Sequence, residues 1–426
     1  MGKAILACGV VLLVAMTTIS TLDARGEIGR FLILITIAGG AYVVALLLIA
    51  RPGGRSRREL AMCLLLALAW RLLLVTSAPL LSDDVYRYIW DGRVQRLGYN
   101  PYTSVPDDPA LQHLHTPLTR QIPPTSAALP TIYPPAAELF FRVVTTVHES
   151  VTAMTLAMLV CDALIVLVLL RWLVVTQRDP WWVLAYAWHP LVAIEGAGGA
   201  HVEVVGTLFV MVMVYALARR WTATAAAAFA VAVTVKFLPI VVAPLLWGRI
   251  RARDAALAVG VGLAVYAPFM SGTHGLPLGS FGVYAEQWRF NGFVSDWLEP
   301  WVGTPGLFAL ATIAGLVVAA LLRRRLPQDS PAAWAWPMAT ALLLLPTIYP
   351  WYLFWLTPFL IGRSVVPLVA WTLGVFLTYL VWQSELSGAG WVLPVWVAPV
   401  EYGLIAAAAA WVLLVRRRPA LFPKLT

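Results

Sequence analysis

Three groups of residues in this chain have the types and spacing that chemistry needs. The first is Ser82-Asp83-Asp84-Val85-Tyr86-Arg87-Tyr88-Ile89-Trp90-Asp91-Gly92-Arg93, two adjacent carboxylates followed by aromatics and arginines. A carboxylate within hydrogen-bond reach of a sugar hydroxyl can accept its proton as a new bond forms. Paired carboxylates also push one another's proton affinity upward, which suits a base working near neutrality. From spacing alone, a helix N-cap is the better account of Ser-Asp-Asp. The second group is Glu195, His201 and Glu203, and the third is Lys236 together with Tyr349, Trp351 and Tyr352. His201 and Glu203, two apart, do not share a helix face, so a helical metal site is not expected, and helix packing is the plainer role for His201. Lys236 suits a phosphate as a point charge; snorkelling from an ordinary helix explains it equally well.

These residues sit between long apolar runs. Hydrophobic residues make up 61% of the 426 and charged residues 12%, about half the charge of an ordinary soluble domain. Many windows reach the roughly 20 apolar residues that a bilayer core requires. The expected fold class is therefore an all-α polytopic membrane protein, one transmembrane domain over residues 1–426, with roughly 12–14 membrane segments. Met1 to Leu22 reads as a first transmembrane helix rather than a cleaved leader. The net charge of +9 does not indicate nucleic acid, because the arginines fall in short clusters between apolar runs, the positive-inside pattern. Clusters at 51–58, 171–178, 219–220, 249–253, 323–325, 363 and 416–418 mark the cytoplasmic side, with Arg25 and Arg30 as exceptions outside. The cysteines Cys8, Cys63 and Cys161 lie within apolar runs and read as packing residues.

With that topology, residues 82–150 form a long extracytoplasmic loop that carries an amphipathic interfacial helix. In that helix Tyr86, Trp90 and Arg93 share a face, and Arg87 can pair with Asp91. His113, His115 and His274 read as solvated loop residues. Residues 271–302 form a second outer loop, placed to cover an acceptor. Residues 222–248 are about one span long but carry arginines at both ends. The expected solution is two half-helices broken near Lys236 and Pro239. Asp83, Glu195, His201, Glu203, Lys236 and Tyr349–Tyr352 then converge on the outer face, and ionisable groups at membrane depth are costly unless they serve a function.

The lip sequence, with Gly98-Tyr99-Asn100-Pro101-Tyr102 and Tyr133-Pro134-Pro135, resembles the first outer loop of the GT-C superfamily, polytopic transferases that use polyprenyl-phosphate sugars. It looks most like bacterial mannosyltransferase-like members of the kind grouped with glycosyltransferase family 87. His189-Pro190 through Glu195 to Gly199-Ala200-His201-Val202-Glu203 is similar to the family's Asn-Pro…Glu…Gly-His-x-Asp, with His189 for Asn and Glu203 for Asp. Lys236-Phe237-Leu238-Pro239 is similar to its Lys-x-x-Pro break. Tyr349-Pro350-Trp351-Tyr352 is similar to its His-Pro-Trp-Tyr, with Tyr349 for His.

The resemblance implies an inverting hexosyltransferase, most simply a mannosyltransferase, without metal or other cofactor, in the plasma (inner) membrane with its site facing outward. The donor would be a polyprenyl-phosphate sugar and the acceptor a glycolipid or glycan. Asp83 or Asp84 would be the base, with Asp83 preferred from the family's acidic pair. Lys236 and Arg87 would hold the donor phosphate. Tyr86, Trp90, Glu195, His201, Glu203, Tyr349, Trp351 and Tyr352 would line the substrate site. The competing readings are a transporter or flippase of a lipid-linked or polar substrate, and a non-catalytic scaffold. A transporter should show related halves, and no such repeat is visible.

Overall fold

A computed structural model describes residues 2–273 and 275–417; His274 and Arg418 lie outside the described residues. Among the described residues the chain is 74% helical with no strands, as a backbone in hydrocarbon requires, since every polar group must be satisfied within the protein. Among the described residues, seven helices are long and apolar enough to cross a membrane: Gly2–Ser20, Ile28–Ile49, Val151–Val175, Ala252–Phe269, Phe293–Arg325, Arg363–Leu386 and Val397–Val415. Val192–Gly198 and Glu203–Ala218, bent by 119° across their break, make an eighth if taken as one span. The expected 12–14 segments also counted shorter pieces, which the fold realises as half-length helices such as Thr222–Val235 and Pro331–Leu343. The protein is a multi-pass membrane protein.

Apolar burial does not drive helices together inside lipid, so close packing must do so, and small residues allow it. A Cβ on Gly206 would lie 2.0 Å from the Trp355 ring, and one on Gly315 would lie 2.8 Å from Val241. A buried ion pair inside the bundle joins Arg71 to Asp162, whose other oxygen accepts from the Tyr186 hydroxyl at 2.6 Å.

The segment 82–150 is built on two crossed helices, the lip helix Asp84–Arg96 and its partner Pro135–Val147. Gly92 makes the crossing possible, because a Cβ there would sit 2.5 Å from the Phe141 carbonyl oxygen. Tyr88 stacks on Phe141 at 4.4 Å. The expectation of an interfacial lip helix is revised: ten of its residues are buried, on all sides, and the two-faced helix is Pro135–Val147, with Arg142, Val143, Thr146 and Val147 exposed. His115 is also not a solvated loop residue. It stacks on Trp90 at 4.3 Å, with its ring nitrogens on Thr119 Oγ1 and the Pro106 carbonyl.

The break at Lys236 falls where the sequence places it. Helix Thr222–Val235 ends, Lys236 is extended (φ −161°, ψ 143°), and a tight helix Leu238–Leu246 begins with Pro239. Pro239 has no N–H to continue the α-helix, and its ring would clash with the carbonyl four residues back, at Val235, where the first helix ends.

Candidate active site

The turn Gly198–His201 decides the geometry. The backbone leaves a π-helix, Val192–Gly198, and reverses through Ala200, held at φ +55°. Such π turns recur at functional sites. The Gly198 carbonyl accepts from the Leu80 amide at 3.0 Å, and a Cβ on Gly198 would strike Leu80 at 2.5 Å. This contact docks the chain entering the lip helix against the turn, which sets Asp84 beside His201. His189 belongs to the same frame: its Nδ1 accepts from the Leu191 amide at 3.1 Å and its Nε2 meets Thr372 Oγ1 at 2.9 Å. An asparagine, usual at that place in the family pattern, could accept from the same amide.

A cavity of about 1060 Å³ opens above this frame, lined by Asp83, Asp84, Glu203, Lys236, Tyr349, Trp351 and Tyr352 among others. It is as large as the larger small-molecule sites, about 300–1,000 Å³. The two aspartates have different surroundings. Both oxygens of Asp83 accept from Arg25, at 2.7 and 3.1 Å. Arg25 also stacks over Trp382 at 4.3 Å. Asp83 stands at the N-cap position but makes no side-chain capping bond, so the capping account of the pair fails. Asp84 faces the cavity with 35% of its side chain open. That opening is onto the cavity. Burial raises its pKa from the ordinary value and Glu203 adds to the rise, while His201, Lys236 and the Tyr133 hydroxyl oppose it. A carboxylate so placed is a better proton acceptor than an exposed one.

Lys236 is ion-paired with Glu203 and sits over the Tyr352 ring at 3.9 Å. The Tyr352 hydroxyl meets that of Tyr284 at 2.5 Å. Glu195 and His201 lie behind the cavity wall, fully buried. Four rings run in a stack along that wall: Phe290 on Tyr349 (4.4 Å), Tyr349 on Trp351 (4.5 Å) and Trp351 on His201 (4.1 Å). The loop 271–302 joins the wall through Phe290, whose backbone pairs with residues 346 and 348.

Five expected site residues do not line the cavity: Glu195 and His201, behind its wall, and Arg87, Tyr86 and Trp90. Arg87 is bonded to Asp91, as its i,i+4 spacing suggested, and to the carbonyls of Ser126 and Leu129 at 2.8 Å. It thus anchors the segment 123–126 that lines the cavity without lining it itself. Tyr86 and Trp90 are buried and do not line the cavity. The sequence reading missed Arg25, Tyr284, Tyr379 and Trp382. Arg25 had a signal, as an arginine on the wrong side for the charge rule. The aromatic three had none, being lost among 20 Trp and 14 Tyr. Among the described residues, no three His, Cys, Asp or Glu side chains are grouped as a metal ion would require.

The MptA_B family, described as alpha-(1->6)-mannopyranosyltransferase, N-terminal domain, matches residues 3–251. The chain belongs to this family. The match spans more than half of the chain and includes Asp83, Asp84, Glu195, His201, Glu203 and Lys236. This membrane mannosyltransferase is therefore an enzyme of the GT-C type, rather than a transporter or a scaffold. Tyr349, Trp351 and Tyr352 lie beyond the matched region, on the far wall of the same cavity. No curated protein and no solved structure matches the chain.

Proposed function

We propose that the mannosyltransferase takes its sugar from a polyprenyl-phosphate mannose and passes it, with inversion, to a glycolipid or glycan acceptor on the extracytoplasmic face of the plasma membrane. The observation that carries this reading is a second cavity. An apolar groove of about 530 Å³ runs between Leu238–Leu246, Phe293–Arg325 and Pro331–Leu343, walled by side chains such as Ile240, Phe308, Ile313 and Leu345. It meets the polar cavity at Lys236, Tyr284 and Tyr352, which line both. A ligand that fills both needs a sugar at one end, an anionic group at the junction and a long hydrocarbon tail. A sugar nucleotide has no use for such a groove.

In this reading Lys236 holds the phosphate at the junction, and the Tyr349–Trp351 wall bounds the sugar. Asp84 takes the proton of the acceptor hydroxyl. The hydroxyl oxygen bonds to the anomeric carbon, and the carbon–oxygen bond to phosphate breaks with its electron pair on the leaving polyprenyl phosphate. Displacement on a β-linked donor gives an α-linked product, in line with the alpha linkage in the family's description. Arg25, Asp83 and Trp382 form the rim, and Arg120, Gln121 and Arg289 offer hydrogen-bond donors to the acceptor side. Arg87 acts by positioning the 123–126 wall rather than by touching phosphate. The outward orientation rests on the arginine clusters at the opposite ends of the helices.

Purified protein in lipid nanodiscs, supplied with labelled polyprenyl-phosphate mannose or labelled GDP-mannose and a membrane glycolipid extract, tests the proposal. Label is expected in the extract from the lipid donor alone, in α-linkage. Transfer from the nucleotide and not from the lipid would overturn the donor assignment.

A further inference from the structure

The base in the proposed reaction must dispose of a proton inside a partly enclosed cavity, and the residue beside it is unusual. His201 is fully buried, and among the described residues neither ring nitrogen has a hydrogen-bond partner. Buried polar groups are nearly always bonded, so an exception calls for an explanation. Both nitrogens nonetheless face carboxylates. Nδ1 lies 3.8 Å from Asp84 Oδ2, and Nε2 lies 3.3 Å from Glu195 Oε2. The other Glu195 oxygen accepts from the Tyr379 hydroxyl at 2.8 Å. The ring plane is fixed by stacking on Trp351, 11° from parallel, so its edge stays aimed along the Asp84–Glu195 line.

From this row of groups we infer that His201 is a positioning residue that relieves Asp84 of its proton during transfer, with Glu195 holding the imidazole in the receptive tautomer. The inference rests on the transfer reading given above. In the resting state Nε2 carries its hydrogen toward Glu195, and the Nδ1 lone pair faces Asp84. The acceptor hydroxyl gives its proton to Asp84 as the sugar bond forms and the phosphate bond breaks. Asp84 then passes that proton to Nδ1, and an imidazolium stands between two carboxylates. Asp84 is again an anion while positive charge builds on the anomeric carbon. When product leaves, the proton returns through Asp84 to cavity water. The Asp84 contact must tighten by about 1 Å for this step, a shortening common between resting and substrate-bound sites.

The other charged groups facing this row are Glu203 and Lys236, paired with each other, and Arg25, paired with Asp83. Each is neutralised locally, which leaves the imidazole as the proton acceptor next to Asp84. Glu195, Tyr379 and Glu203 arrive from three different elements, so the row exists only in the folded chain.

The test measures kcat and donor KM against pH for wild type, His201→Asn, Glu195→Gln, Asp84→Asn and the Asp84→Asn/His201→Asn pair, with whichever mannosyl donor the wild type uses. Expected for His201→Asn is a fall in kcat of roughly tenfold to a hundredfold, part of what a general base contributes, with donor KM little changed. Its acid limb should move to lower pH, because the proton taken up by the pair of Asp84 and the neutral imidazole then has only the carboxylate to sit on. Imidazole added to His201→Gly should restore part of kcat. Glu195→Gln, which keeps size and shape, should lower kcat in the same way, and the double variant should be no worse than Asp84→Asn alone. Wild-type kcat in His201→Asn would overturn the inference. So would a loss of kcat with an unmoved acid limb and no imidazole rescue, which is the mark of packing alone. A wild type that transfers from GDP-mannose instead would strike the donor assignment and leave the His201 comparison readable.

Discussion

Replacing each lip aspartate in turn separates two carboxylates that the sequence presents as equals. Asp84→Asn removes the group that faces the cavity beside His201. General-base catalysis contributes about 10²–10⁴ in rate, or about 3–5 kcal/mol at roughly 1.4 kcal/mol per decade. No neighbour can substitute: both Asp83 oxygens are engaged by Arg25, and Glu203 is engaged by Lys236. The expected kcat is therefore two to four decades below wild type, with donor KM near the wild-type value. Asp83→Asn breaks a bidentate pair whose side chains are 26% exposed each. Solvent screening holds such a pair to about 1 kcal/mol or less, so kcat should fall no more than about fivefold. The assay is single-turnover transfer of labelled mannose in nanodiscs, with both variants first checked for wild-type melting. Equal losses in the two variants would refute the assignment, as would an inactive Asp83→Asn beside an active Asp84→Asn.

Raised proton affinity at Asp84 means that activity should fall as pH drops through a value above the ordinary aspartate range; a pH–rate profile with its acid limb at the ordinary aspartate value would contradict this. Lys236→Met combined with Glu203→Gln, which removes both charges and leaves neither buried alone, should raise donor KM by roughly 10–100-fold, the worth of a charge-assisted bond, as read from initial rates against donor concentration. Ala311 lines the apolar groove, so Ala311→Trp should raise KM for a long-chain donor and spare a donor with one or two isoprene units; equal effects on both would remove the groove from lipid binding. Gly92→Ala drives a Cβ to 2.5 Å from a backbone oxygen, an overpacking worth about 1–3 kcal/mol, and should lower the melting temperature in detergent.

Composition and the arginine clusters were enough to read the membrane class, because hydrocarbon imposes the same demand on every spanning segment. The broken segment at Lys236 was legible because proline acts locally. The number of spans was less legible, since half-length helices such as Thr222–Val235 look like spans until their ends are seen. Asp84, Glu203, Lys236, Trp351 and Tyr352 were all picked out by type and place, and the fold gathers them around one cavity. The resemblance ranked Asp83 ahead of Asp84, and the proposed mechanism reverses that order because of Arg25, 58 residues away from Asp83, which no local pattern places there. It placed Arg87 at a phosphate because it could count charges but could not see the carbonyls of Ser126 and Leu129 that occupy the guanidinium.

Local sequence thus determined which residues could do chemistry and which segments must cross the membrane, because residue type, hydropathy and proline act over a few positions. Tertiary structure alone decided which of those residues face the cavity, which are tied to a distant partner, and that an apolar groove meets the polar site at Lys236. Those outcomes depend on contacts between segments distant in sequence, from Arg25 with Asp83 to Glu195 with Tyr379, and no local pattern records them.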